Sequence, residues 1–220
     1  MLITTVIIAI AIGLGLLWCK RANGADWGKP GWLNYLDGFV RLWSCRFHGL
    51  KYDEIPLPES GPALIVSNHV SGLDSLLIVA AARRPVRFLI AREQYEGLGL
   101  QWLFDRIKCI PVDYDRGFGL AFREAFRALE AGDVIVVYPQ AGITPDFRKP
   151  RRGGVWLSRR ANCPLYPIYI DGIAERSIGH VLRALFLRGK PKLTAYPPVS
   201  FEEDDEAMAF LEKLCAGELK

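Results

Sequence analysis

The segment Asn68-His69-Val70-Ser71-Gly72-Leu73-Asp74 sets an imidazole and a carboxylate five positions apart. Such a pair can do acid–base chemistry. A carboxylate that accepts from one ring nitrogen fixes the tautomer and leaves the other nitrogen free to take a proton, and it stabilises the imidazolium that results. On one continuous helix the two side chains would stand about 140° apart, too far round to meet. Gly72 and a loop-to-helix transition supply the bend, with His69 in the loop and Asp74 in the first helical turn. The arrangement then has the acyl-transfer logic of a catalytic triad without an enzyme nucleophile. A second reading uses the same residues: Ser71 and Asp74 form a capping box, Asp74 suits the helix dipole, and His69 is a loop residue.

Other chemistries find less support. No GxSxG elbow accompanies Ser67 or Ser71, which excludes that route to a serine hydrolase. There is no Walker loop, and the pairs Gly97/Gly99 and Gly117/Gly119 lack the third glycine and the strand-to-helix setting of a dinucleotide fingerprint. His48, His69 and His180 are the only imidazoles, with no HExxH and no paired thiols, so no metal site is expected. His180 is expected on a surface turn.

The elements that must position His69 are short β-rich runs alternating with helical stretches. The runs are Ala63 to Ser67, Val86 to Ala91, Cys109 to Val112, Val134 to Tyr138, Leu165 to Ile170 and Lys192 to Tyr196. Helical periodicity follows Asp74 and recurs over Trp102 to Ile107, Leu120 to Ala131, Gly153 to Ala161, Val181 to Leu187 and Asp205 to Cys215. Continuous apolar strands such as Val134-Ile135-Val136-Val137 are covered on both faces. The pattern predicts an α/β fold with a mixed, largely parallel sheet flanked by helices. The motif lies at the carboxyl end of its first strand, where open α/β sheets place their sites.

With 220 residues, the chain can bury one substantial core. Residues 56–220 are expected to form that catalytic domain, and residues 1–55 an N-terminal anchoring region of two helices. From Leu2 to Trp18 the chain is uncharged and apolar, long enough for a helix of roughly 25 Å. Lys20 and Arg21 follow this stretch, where a cleaved signal peptide would carry its positive charge ahead of it. A retained anchor is expected, with the rest of the chain on the cytoplasmic face of the membrane. Next, Trp32, Leu36, Phe39, Val40, Trp43, Phe47 and Leu50 recur at helical spacing while Asp37, Arg41 and Arg46 take other faces. That amphipathic helix suits the headgroup level of a bilayer, or packing on the core, or both. Five widely spaced cysteines read as reduced thiols. The net charge of +4 is modest and disfavours nucleic acid as a partner. Its basic clusters, Arg83 to Arg92 and Arg148 to Arg160, suit anionic headgroups or a phosphorylated substrate.

Four stretches together resemble the glycerolipid acyltransferase family, which includes lysophosphatidate and other lysophospholipid acyltransferases. Residues 68–74 look like its NHxSxxD block. Ile110-Pro111-Val112-Asp113-Tyr114-Asp115-Arg116 resembles the second block, a strand leading to an Arg that binds the acceptor's phosphate. Val137-Tyr138-Pro139-Gln140-Ala141-Gly142-Ile143-Thr144 resembles the third, usually written FPEG and followed by T or R-I-T. Cys163 to Ile170 resembles the fourth, an apolar strand with a central proline. The resemblance implies a membrane-bound O-acyltransferase of phospholipid biosynthesis, with His69 and Asp74 catalytic. Asn68, Ser71, Arg116, Gln140, Ala141, Gly142 and Thr144 would contact substrate. It also implies acyl-CoA or acyl carrier protein as donor, a lysophospholipid-like acceptor, and no metal or redox cofactor. The second block has its Arg shifted by Tyr114 and Asp115. In the third, Gln140 stands for Glu, Ala141 for Gly and Gly142 where some members hold Arg, which leaves Arg148, Lys149, Arg151 or Arg152 to join Arg116 in phosphate recognition, or an acceptor other than lysophosphatidate. A non-catalytic lipid-binding or scaffold protein on the same fold is the alternative.

Overall fold

A computed structural model of the chain describes residues 2–29, 31–113, 117–143, 149–173 and 185–219. Arg116, Thr144, Arg148 and His180 lie outside the described residues, as does most of the helix expected over Val181 to Leu187.

Two helices lead the chain, α1 (Leu2–Ala22) and α2 (Trp32–Leu42), the second running on into a π-helical turn at Trp43–Phe47. Then come β1 (Lys51–Tyr52), β2 (Ala63–Ser67), α3 (Asp74–Ala81), β3 (Val86–Ala91), α4 (Arg92–Gly97), α5 (Gln101–Arg106) and β4 (Ile110–Val112). The remainder is α6 (Gly119–Glu130), β5 (Val134–Val137), α7 (Gly153–Ala161), β6 (Leu165–Asp171), β7 (Lys192–Ala195) and α8 (Asp204–Ala216). The strands make one sheet in the order β1-β7-β6-β2-β5-β3-β4. The pairings are parallel except β6 with β7, so the expected mixed, largely parallel sheet is the one observed. The strand β1 and the helix α4 had no clear periodic signal, being respectively two residues long and strongly polar.

Every residue of β2 and β5 is buried, as central strands covered on both faces require. Alternation sends Ile65 into the core that α3 covers and Leu64 and Val66 into the core under α6, α7 and α8. Burying each such side chain stabilises the fold by about 1.5–3 kcal/mol. The register also sets the site. Val66 pairs with Val137, so the loops that follow, carrying His69 and Tyr138, leave the sheet side by side.

On α2, Asp37 and Arg41, expected on faces other than the aromatic stripe, are buried, while Trp32, Tyr35 and Phe39 are exposed. The cause is the C-terminal end of α3, whose last carbonyls have no intrahelical donor. Arg41 donates to Ala80 O at 2.6 Å, to Ala82 O, and to Asp37 Oδ2 at 2.6 Å. Asp37 in turn accepts from Gly24 N–H at 2.9 Å and Trp27 Nε1–H at 3.1 Å. A buried pair satisfied on both sides can be held in a core. Gly38 lets α1 cross α2 closely, because a Cβ there would overlap the Cys19 carbonyl oxygen. Thr4–Ala22 is long and apolar enough to cross a membrane, and none of its residues is buried.

Candidate active site

The loop 68–73 is built around one carboxylate oxygen. Asp74, the first residue of α3 and fully buried, accepts at Oδ2 from His69 Nδ1–H at 2.8 Å, Val70 N–H at 2.8 Å and Ser71 N–H at 3.0 Å. The bonds to Val70 and Ser71 N–H tie down the loop, but the expected capping box is not formed: Leu73 is the N-cap of α3 with no side-chain cap bond, and Ser71 Oγ accepts from Leu73 N–H instead of Asp74 N–H. The bond to the ring is the pairing a general base needs. One carboxylate oxygen therefore both orients the ring and holds the loop. Oδ1 is buried and has no hydrogen-bond partner among the described residues.

His69 is held on two more sides. Its N–H donates to Gln140 Oε1 at 3.0 Å, and its ring lies flat on that of Tyr138, with centroids 3.8 Å apart and planes 10° apart. The Tyr138 hydroxyl meets Ser75 Oγ at 3.0 Å. Burial, and then the nearby Asp74 carboxylate, push the Tyr138 phenol well above its ordinary pKa, so it stays neutral.

Several residues expected to contact substrate face inward. Asn68 is buried and uses its amide as a strand would: Nδ2–H donates to Ile170 O at 2.8 Å and Oδ1 accepts from Ile170 N–H at 2.8 Å. Ser71 is buried, its hydroxyl accepting from Leu73 N–H at 3.3 Å. Gln140 is buried behind His69. Ala141 and Gly142 do line the groove described below, with φ of 53° and 147°. Left-handed backbone at an alanine costs roughly 1–2 kcal/mol, which accounts for glycine being usual in the resembled block. Tyr138 and Ser75 carry no chemical signal of their own in the sequence. The one signal for Tyr138 was its place beside Pro139 in the third block.

His69 stands at a groove of about 1160 Å³. Leu33, Leu36 and Val40 of α2 line it together with Leu103, Phe104 and Ile107, which gives it an apolar wall. Arg123, Arg151 and Arg152 line it as well. Arg152 pairs with Asp205 at 3.2 Å, and its neighbours Lys149 and Arg159 pair with Glu212 and Asp204. Arg151 has no carboxylate partner among the described residues and lies over the Phe118 ring at 5.6 Å. An imidazole backed by a carboxylate, beside apolar walls and a guanidinium with no carboxylate partner among the described residues, can deprotonate a hydroxyl carried by an anionic amphiphile. Among the described residues no cluster of His, Cys, Asp or Glu could hold a metal ion.

The model of the Acyltransferase family matches residues 49–171, more than half of the chain and the part that carries this site. The chain belongs to the Acyltransferase family. Its fold is similar to the crystal structure of the 1-acyl-sn-glycerophosphate acyltransferase PlsC from Thermotoga maritima, with a TM-score of 0.67 over 99% of this chain and 90% of that one. At 20% identity that likeness speaks for the fold. Within this acyltransferase, the first, third and fourth blocks converge on the carboxyl ends of β2, β5 and β6, which are neighbours in the sheet.

Proposed function

We propose that this acyltransferase moves a fatty acyl group from a thioester, acyl-CoA or acyl carrier protein, to the free hydroxyl of a lysophospholipid-like acceptor, with His69 as general base and Asp74 as its orienting carboxylate. The observation that carries the proposal is the 2.8 Å contact of His69 Nδ1 with Asp74 Oδ2 at the groove. Nδ1–H is committed to the carboxylate, so Nε2 is the nitrogen with a lone pair to offer. It takes the acceptor's hydroxyl proton as that oxygen bonds to the thioester carbonyl carbon. The tetrahedral oxyanion then collapses, the carbon–sulfur bond breaks, and the imidazolium returns its proton to the thiolate. The products are an ester and a free thiol, and the reaction needs no metal or redox cofactor.

Arg151 supports an acceptor with an anionic head, since a guanidinium without a carboxylate partner can donate to phosphate. The resemblance of the second block assigns the same task to Arg116. Acceptors of the lysophosphatidate type fit this charge. Residues 1–55 act as the anchor in this reading, with the catalytic domain, 56–220, on the cytoplasmic face. The bare α1 helix and the exposed Trp32, Tyr35 and Phe39 support a bilayer partner.

The test is incubation of purified full-length protein with acyl-CoA or acyl carrier protein and a panel of lysophospholipids, followed by lipid mass spectrometry and thiol detection. Diacyl product and free thiol in equal amounts are expected, with phosphate-headed acceptors preferred. Thiol release that ignores the acceptor would make the chain a thioesterase. Absence of both products would favour a lipid-binding protein.

A further inference from the structure

Tyr138 and Ser75 have no part in the chemistry described so far, yet they complete a construction around His69. Asp74 and Ser75 are consecutive residues in the first turn of α3. Asp74 takes the edge of the imidazole at 2.8 Å, and Ser75 takes the hydroxyl of Tyr138 at 3.0 Å. One turn of helix thus fixes two rings, and they lie face to face at 3.8 Å with only 10° between their planes.

We propose that Tyr138 is a positioning residue whose π-face holds the His69 imidazole and stabilises the imidazolium formed during acyl transfer. An aromatic face is electronegative, so it attracts a cation set over it much more than a neutral ring. The attraction grows when His69 takes the acceptor's proton and fades when the proton is passed to the thiolate. It therefore acts on the transition state and leaves substrate binding alone. The phenol is suited to this because burial and the Asp74 carboxylate keep it protonated. The Ser75 bond keeps the ring from turning its edge to the imidazole. Among the described residues, the other charged groups around the groove are Arg123, Arg151, Arg152 and the Asp37–Arg41 pair of α2, and none of them touches the His69 ring in a described contact.

The inference rests on His69 being the base, and its test separates the two. In labelled full-length protein in detergent, with only three histidines to resolve, the ring protons of His69 should show the upfield ring-current shift of a stacked imidazole. Tyr138→Leu should abolish that shift, lower kcat roughly tenfold and leave KM within about twofold, as expected for a cation–π contact felt only in the charged state. Tyr138→Phe, which keeps the face, should restore both the shift and most of kcat. Phenylalanines carrying one, two and three fluorines at position 138 keep the shape and drain the face of negative charge. Log kcat should fall stepwise along that series, and the series serves equally if the Leu variant fails to fold. A flat series would overturn the proposal, as would a His69 ring shift that Tyr138→Leu leaves in place. The ring shift does not depend on turnover, so an active His69→Ala enzyme would sink the base while leaving the stack measurable.

Discussion

Replacing Asp74 by Asn separates the charge of this carboxylate from its shape. Oδ2 accepts three N–H groups, whereas Oδ1 has no partner among the described residues. An amide in the same pocket therefore turns its oxygen toward the three donors and its NH2 into the place of Oδ1. The opposite orientation would set NH2 against three hydrogens. The His69 tautomer is preserved, and what the variant loses is the negative charge beside the imidazolium. Two unit charges about 4 Å apart attract by about 4 kcal/mol at an effective dielectric constant near 20. The amide dipole retains part of this, so about 3 kcal/mol of transition-state stabilisation should go, which is roughly 150-fold in kcat. The loop survives, because Val70 and Ser71 N–H keep an acceptor, so the melting temperature should move by only a few degrees. Steady-state thiol release with saturating acceptor, run beside thermal unfolding of the same samples, makes the comparison. A variant that melts much earlier yet keeps kcat within about fivefold of wild type would show that Asp74 serves the helix and not the base.

Gln140→Leu leaves the His69 N–H without its acceptor at 3.0 Å, and a stranded buried donor costs about 1–3 kcal/mol, so both the melting temperature and kcat should fall; an unchanged enzyme would show that the loop does not need this bond. Gly38→Ala should pry α1 from α2 because the new Cβ meets Cys19 backbone, which cannot swing away, and limited proteolysis should then cut the 23–31 connection faster. His48 is buried with Nε2–H donating to Leu185 O at 3.1 Å, and burial pulls its pKa below the ordinary histidine value. Its neutral form is the one the fold prefers, so stability is fully present above about pH 6.5 and is lost as the pH falls from there toward the lower folded value. Thermal unfolding across pH 5 to 8 should show this acid loss, and His48→Phe should flatten it.

Much of this architecture is legible in the residues, because the strands announce themselves. Ala63–Ser67 and Val134–Val137 are runs too apolar for anything but central strands, and they fix where the His69 loop begins. The His69 and Asp74 pairing is legible in part: Gly72 and a helix start near Asp74 permit it, but the same residues also read as a capping box, and the structure decides for the pairing. What stayed hidden depends on partners far away in the chain. Asp37 and Arg41 sit four apart on α2 and look like a solvated pair, yet the carbonyls that bury Arg41 belong to Ala80 and Ala82. Asn68 looks like a ligand contact until Ile170, on a neighbouring strand, claims both ends of its amide. The Tyr138 stack depends on β2 and β5 pairing in one particular register. Spacing along a chain reveals bonds within a turn or a loop, and bonds across the sheet need the sheet order.

The central claim is that the His69 imidazole takes the acceptor's proton. Thiol release from acyl-CoA by purified His69→Ala, measured with a lysophospholipid acceptor against wild type, tests it most directly. Removal of a general base together with its paired carboxylate's function should lower kcat by roughly 10³-fold or more, with thermal unfolding little changed because the ring sits in a loop at the groove. An His69→Ala enzyme that folds and keeps its rate within tenfold of wild type would contradict the account.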